Sequence, residues 1–229
     1  MAHPCSRRPL SKSFVLLFLA ALAVTVSGVG ADINLVLNPG FESPSDGRAR
    51  WVVWSYSPLD SWNYLEFSEE IMSGGYWTPH SGTQSLSLNG YDGPGWISQN
   101  LATVAGGTYD LSFFMSGAFL FQGANDTTRS LVVYWDSDTV PLGTVTFTKP
   151  SGWSQSNMGW TLKSGGILSG LTASGPSTEL KFVSLEPGTY EQSPALDDIS
   201  VTSVPEPGSL SLLLLALPGV VWLRRRRRA

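Results

Sequence analysis

Tyr109-Asp110-Leu111-Ser112-Phe113-Phe114-Met115 decides the fold class of this chain. Tyr109, Leu111, Phe113 and Met115 recur at every second position, with Asp110, Ser112 and Phe114 between them. A period of two marks a β-strand with one buried face, because successive strand side chains point to opposite sides. Working outward, the same period runs through Ser85–Leu88, where Leu86 and Leu88 share a face, and through Leu131–Trp135 and Gly143–Thr148. It returns in Thr178–Ser184 and Ala195–Val201. Gly90-Tyr91-Asp92-Gly93-Pro94-Gly95, Gly106-Gly107 and Glu186-Pro187-Gly188 have the composition of turns. No stretch between residues 32 and 203 keeps a helical period beyond two turns. Roughly ten short strands cannot remain one flat sheet, so two sheets packed over a shared core are expected. The expectation is an all-β, jelly-roll β-sandwich over residues 32–203.

Composition agrees. Of 229 residues only 14% are charged, while 24 are Gly and 15 Pro, as suits a turn-rich β protein. The net charge of −4 conceals an asymmetry. Of 14 basic residues, Arg7, Arg8 and Lys12 precede the first apolar run and Arg224 to Arg228 end the chain, which leaves six. Of 18 acids only Glu206 lies outside residues 32–204, which leaves 17 and a central net charge of −11. Such a surface repels phosphate backbones, so nucleic acid is not an expected partner; calcium and neutral polymers fit better. The one cysteine, Cys5, lies before the first apolar run. A domain without cysteine has no disulfide, zinc-thiolate site or cysteine nucleophile.

Both ends read as addresses. Arg7, Arg8 and Lys12 followed by the apolar Phe14–Val26 and the small residues Val29-Gly30-Ala31 form a secretory signal, with cleavage expected after Ala31. At the other end, Gly208–Leu223 is an uncharged, leucine-rich run of 16 residues, a little short of the ~20 usual for a membrane helix. Arg224, Arg225, Arg226, Arg227 and Arg228 would hold that end in the cytoplasm. Pro205 and Pro207 keep the approach extended, as a processing enzyme requires. Val204-Pro205-Glu206-Pro207, the apolar run and the arginine block, in that order, resemble the PEP-CTERM sorting signal over residues 204–229. The resemblance implies a membrane exosortase as partner and an inner-membrane intermediate. It also implies delivery to the cell surface or extracellular matrix of a Gram-negative-type bacterium that makes exopolysaccharide.

The central region carries a second resemblance. Asn34-Leu35-Val36-Leu37-Asn38-Pro39-Gly40-Phe41-Glu42 opens it, and Ser81-Gly82-Thr83-Gln84-Ser85-Leu86-Ser87-Leu88-Asn89-Gly90 follows. Ile97-Ser98-Gln99-Asn100-Leu101, Gly107-Thr108-Tyr109-Asp110-Leu111-Ser112-Phe113 and Pro194-Ala195-Leu196-Asp197-Asp198-Ile199-Ser200-Val201 complete the order. This succession is similar to the choice-of-anchor C family, related to galactose-binding-like and carbohydrate-module sandwiches. Ser87 departs from it, standing where an aspartate is expected.

Strict alternation from Asp197 to Val201 puts Asp197 on the face of Ile199 and Val201, and a buried carboxylate needs a compensating partner. Calcium, a hard cation with six to eight oxygen ligands, is one. The resemblance implies a structural calcium held by Glu42 and Asp197 with carbonyls of the Ser81–Gln84 turn. The alternative is that Asp197 accepts backbone N–H bonds while Glu42 is solvated. Eight of nine tryptophans lie in the central region, and a flat indole suits stacking on a sugar ring. Trp54, Trp62 and Trp153 are the stacking candidates; Trp77 and Trp135 read as core, and Trp153 and Trp160 flank a Gly/Ser-rich loop.

Catalysis has little to stand on. His80 is the only histidine after the signal and reads as a turn residue beside Ser81-Gly82. Neither a Gly-x-Ser-x-Gly elbow before a helix nor a His-Glu-x-x-His motif occurs. Glu66, Glu69 and Glu70 could serve a glycosidase, but Glu69-Glu70 reads as a solvated edge. The leading expectation is a non-catalytic polysaccharide-binding surface protein. A structural envelope protein making protein contacts and a glycan hydrolase are its rivals.

Overall fold

The structure is a computed structural model, described for residues 33–43, 59–65, 69–90, 93–120 and 126–205. The chain divides at Ala31 into Met1–Ala31 and Asp32–Ala229, and all described residues belong to the second unit. The signal segment, Trp54, Glu66, Glu206, Pro207, the Gly208–Leu223 run and Arg224–Arg228 lie outside the described residues. Among the described residues no helix is long and apolar enough to cross a membrane.

The described residues form a jelly-roll β-sandwich. Thirteen strands are numbered in chain order. One sheet is ordered β1 (Asn63–Tyr64), β6 (Trp96–Ala102), β12 (Ser177–Ser184), β8 (Thr128–Trp135), β9 (Pro141–Thr148). The other is ordered β10 (Thr161–Lys163), β7 (Thr108–Gly117), β13 (Pro194–Ser203), β3 (Gln84–Ser87), β2 (Glu70–Ser73), with β11 (Leu171–Thr172) also on β7. A small ribbon pairs β4 (Asn89–Gly90) with β5 (Gly93–Pro94). Every pairing is antiparallel. Non-consecutive strands lie side by side, so register depends on side-chain period rather than on hairpins alone.

The period-two strands fall where alternation places them. Tyr109, Leu111, Phe113 and Met115 of β7 are buried, and Phe113 meets Phe182 of β12 edge-on at 5.2 Å across the sheets. Leu131 and Val133 of β8, Leu180 and Phe182 of β12, and Leu86 of β3 with Leu88 just beyond complete the interior. Trp77 and Trp135 are buried, as their setting suggested. At about 25 cal/mol per Å² of apolar area, this burial is the main source of stability.

The six-stranded sheet is covered on its outer side as well. Met72, Trp77, Ala118, Met158 and Ala195 make a second, smaller core there. The 74–80 and 150–160 segments carry this layer. Trp77 Nε1 donates to Ser85 Oγ (2.8 Å), Ser116 Oγ to the Met158 carbonyl (2.6 Å), and Thr78 N–H to the Gln155 carbonyl (2.9 Å). Residues that alternation assigns to solvent on β2 and β3 are therefore buried. Glu69 and Glu70 are 8% and 6% exposed, which corrects their reading as a solvated edge. Burial, with Glu191 nearby adding repulsion, pushes the Glu70 carboxyl up to about 8.

The five-stranded sheet shows no comparable cover among the described residues: its outer positions alternate as half-buried or exposed along β8, β9 and β12. Among the described residues this side of the sandwich is open along β8, β9 and β12.

Candidate functional site

The opening segment, the 80–84 turn and the start of β13 meet at one point. Asn34 takes the place of a short edge strand on β13: its Nδ2 donates to the Ile199 carbonyl (2.9 Å) and its Oδ1 accepts from Val201 N–H (2.9 Å). Asn38 and Phe41 sit at φ 50° and 59°, the left-handed region that a bulky residue seldom adopts. The tight turn they make buries Phe41 completely and brings the Pro39 carbonyl to Ile199 N–H at 3.0 Å.

That contact marks a β-bulge. Pairing of β13 with β7 shifts between Asp197 and Ser200, and Asp198 stands at φ 48°. The extra residue reverses the alternation. Leu196 opposes Met115 on the inner face, whereas Asp197 opposes Phe114 on the outer one. Asp197 is therefore fully buried, but not on the side of Ile199 and Val201 as strict alternation required.

Its partners are backbone donors. Asp197 Oδ2 accepts the N–H groups of His80 (2.9 Å) and Ser81 (3.2 Å), and Oδ1 accepts that of Asp198 (2.8 Å). Burial pushes this carboxyl up to about 7 and Asp198 adds repulsion, against the lowering effect of those three bonds. Glu42 is not solvated. Its Oε1 accepts Thr83 N–H (2.8 Å) and Gln84 N–H (2.9 Å), and its Oε2 accepts Thr83 Oγ1–H (2.6 Å). Two carboxylates far apart in sequence thus hold one turn. Gly82, at φ 60°, has no room for a side chain because Glu42 occupies that space.

His80 does more than turn the chain. Its Nδ1 lies 2.6 Å from Asp198 Oδ2, and its ring stacks on Phe114 at 3.4 Å. Ser87, the departure from the family pattern, is buried and donates to the Asn89 carbonyl (2.8 Å). The Asp197 and Asp198 carboxylates approach Gly40, whose absent Cβ would lie 3.4 Å from one oxygen of each, while the Glu42 carboxylate lies against Gly82 and Thr83. No group of three or more His, Cys, Asp or Glu side chains among the described residues is spaced to hold a metal.

The tryptophan candidates fare differently. Trp62 is 5% exposed; its ring tilts on Phe41 at 5.8 Å and its Nε1 donates to the Asn38 carbonyl. It belongs to the core and offers no face to a ligand. Trp153 is half-buried, edge-on to Phe119 at 5.3 Å with Lys149 Nζ 5.0 Å from its ring. Its role is to close one end of the core.

Two half-buried aromatic residues, Trp96 and Tyr134, lie on the outer side of the five-stranded sheet. Trp96 and Asn100 point outward from β6, on the side opposite the buried Ile97 and Leu101, whereas Ser98 on that same side is itself buried, with Asn63 Nδ2 3.5 Å from its Oγ. One cross-strand row reads Trp96–Val183–Val132–Thr144, and the next Asn63–Ser98–Lys181–Tyr134. Asn100 opposite Glu179 begins a third. Lys181 Nζ stands 4.8 Å from the Trp96 ring and 3.1 Å from Asp138 Oδ1. Five strands at about 4.8 Å give a face roughly 19 Å across. It carries two aromatic rings, amides, hydroxyls and one partly neutralised ammonium. Such a surface can stack apolar ring faces and exchange hydrogen bonds with hydroxyl groups. The alternation Trp96-x-Ser98-x-Asn100 against Ile97 and Leu101 was the signal for it in the sequence.

No known family profile matches the chain. Among characterised proteins it is similar to halomucin of Haloquadratum walsbyi, 26% identical over 202 residues. Those residues are 82% of this chain and 2% of halomucin, so the chain spans a small fraction of that protein. Among solved structures, the Stig cyclase Fisc from Fischerella sp. TAU aligns with TM-score 0.52 and 13% identity, over 76% of this chain and 99% of its own. TmCBM61, solved with β-1,4-galactotriose, aligns with TM-score 0.46 and 16% identity, over 75% of this chain and 99% of its own. The cyclase shares the sandwich. At these identities only the fold is common.

Proposed function

We propose that this chain is a non-catalytic polysaccharide-binding protein of the cell surface or extracellular matrix. The open five-stranded face carries that reading: Trp96 and Tyr134, both half-buried, stand outward in adjacent rows among the exposed Asn63, Asn100 and Thr144. A polymer lying across the strands would meet two ring faces and a series of hydroxyl and amide partners. The central charge of −11 favours a neutral polymer over a polyanion. Solved with an oligosaccharide, TmCBM61 is compatible with this reading but does not carry it.

Export rests on the two ends. Under this proposal the signal is removed after Ala31, and an exosortase-type enzyme processes the Val204-Pro205-Glu206-Pro207 motif. The Gly208–Leu223 run and Arg224–Arg228 hold an inner-membrane intermediate until then. Electrophoresis of the full-length protein through gels containing β-1,4-galactan, cellulose derivatives or alginate tests the binding. Retardation by a neutral polymer is expected. Migration unchanged in every gel, with concentration-dependent self-assembly instead, would favour a structural envelope role.

Calcium is part of the proposal. An ion held by Glu42 and Asp197, with carbonyls of the 81–84 turn, would tie the opening segment to β13. Its role is structural. Chelator is expected to lower the melting temperature by several degrees, about 4–8 °C per kcal/mol lost for a small domain and 2–4 °C for one of this size. An unchanged melting curve removes the ion.

A further inference from the structure

The layer covering the six-stranded sheet holds a cleft separate from the open face. It is an open depression of about 380 Å³ lined by Thr78, Ser156, Asn157, Met158 and Trp160. Pro150 and Gly159 close one side. Gly159 is at φ 66°, and a Cβ there would stand 2.6 Å from Pro150 Cγ, so glycine alone lets the loop fold this tightly. The walls are pinned: Ser154 and Asn157 exchange N–H···O bonds of 3.0 and 2.9 Å, and Thr78 N–H reaches the Gln155 carbonyl at 2.9 Å.

Trp160 is the anchored ring of the cleft. Its Nε1 donates to the Thr78 carbonyl at 3.0 Å, and His80 meets it edge-on at 6.4 Å. With its donor engaged, the indole offers a ligand only its face. The polar side chains make long bonds: Thr78 Oγ1 to the Ser156 carbonyl at 3.4 Å, Asn157 Nδ2 to the Gly152 carbonyl at 3.3 Å, Ser156 Oγ to Ser154 Oγ at 3.1 Å. Incoming hydroxyls can replace such bonds at small cost. None of the seven lining residues is charged. The volume lies at the lower end of the ~300–1,000 Å³ range of small-ligand sites. An aromatic face, exchangeable hydroxyl and amide groups, no charge and little room together define the ligand.

We propose that this cleft binds one uncharged sugar ring, stacked on Trp160 and hydrogen-bonded by Thr78, Ser156 and Asn157. The ring is a free monosaccharide or the terminal unit of a glycan. The site stands independently of the open face, which would take the side of a chain.

Indole ¹H–¹⁵N resonances of the full-length protein in detergent test it. The ligands are methyl β-D-galactopyranoside, methyl β-D-glucopyranoside and glucuronate. A neutral glycoside is expected to shift the Trp160 indole and leave Trp96 in place, with glucuronate at least about tenfold weaker. Trp160→Ala should abolish binding. Asn157→Ala, at an exposed position, should weaken it about tenfold with the spectrum otherwise unchanged. Binding that extends to an oligosaccharide ending in the same sugar assigns a glycan terminus; binding of the monosaccharide alone assigns a free sugar. A Trp160 indole unmoved by either neutral glycoside overturns the proposal, as does glucuronate binding equally well or affinity surviving Trp160→Ala. Because Trp96→Ala should leave these shifts intact, failure of the open face and failure of the cleft are distinguishable.

Discussion

Replacing Asp197 by alanine is expected to lower unfolding free energy by about 2–4 kcal/mol, since it removes the buried acceptor shared by three backbone N–H groups at the junction of three segments. His80, Ser81 and Asp198 N–H groups all end on this carboxylate, and it is fully buried. The bulge also depends on it, because Asp198 N–H has Asp197 Oδ1 as acceptor while the chain reverses its alternation. Asparagine at the same position separates two accounts. In the metal-free fold, burial already disfavours the charge and asparagine keeps one acceptor oxygen while turning its NH2 toward the remaining N–H, so Asp197→Asn should cost about 1 kcal/mol less than alanine. With calcium bound the charge itself is needed, and asparagine should be nearly as damaging as alanine. Urea unfolding of both variants, with and without calcium, reads the difference. A cost below about 1 kcal/mol for alanine would mean that the junction is not held this way.

The second large effect concerns pH. Glu70 is raised from 4.5 to about 8 by burial and by Glu191, and it lies under the covering layer with Tyr76 and Tyr190 in the same cluster. Between these two values the folded chain keeps a proton that the unfolded chain has released. Stability is therefore full below pH 4.5 as far as this group is concerned, and is lost as pH rises to about 8. The loss is on the order of 4 kcal/mol. Glu70→Gln is neutral and of the same shape, so the variant should lack that slope and exceed the parent protein in stability at pH 8. Denaturation at pH 5 and pH 8 checks it; equal pH dependence in parent and variant would exclude Glu70 as the source. Tyr76, whose hydroxyl is pushed upward by burial and by Tyr190, Glu191 and Glu70, remains neutral throughout that window.

How much of this was legible in the sequence depends on what period two can see. Regular strands such as Thr108–Gly117 and Ser177–Ser184 were, because one apolar face is a local signal repeated along the strand. The bulge at Asp197–Asp198 was not: one extra residue leaves composition unchanged and inverts every later side chain. The Asp-Asp pair was the only hint, since aspartate tolerates left-handed backbone. Glu69 and Glu70 misled for another reason. Whether the outer face of an edge strand is wet depends on loops 74–80 and 150–160 folding back over it, which is tertiary information. Trp62 misled as an isolated indole in an irregular segment, with no neighbours of fixed phase to orient it. Trp96 sits in a strand whose phase Ile97 and Leu101 define, so its outward direction could be read directly.

Affinity electrophoresis of a Trp96→Ala, Tyr134→Ala double variant tests whether glycan binds the outer face of the five-stranded sheet. Against whichever neutral polysaccharide retards the parent protein, the variant should migrate as in a blank gel, with its melting temperature within a few degrees of the parent's. Undiminished retardation of a folded variant would show that these rows do not hold the polymer.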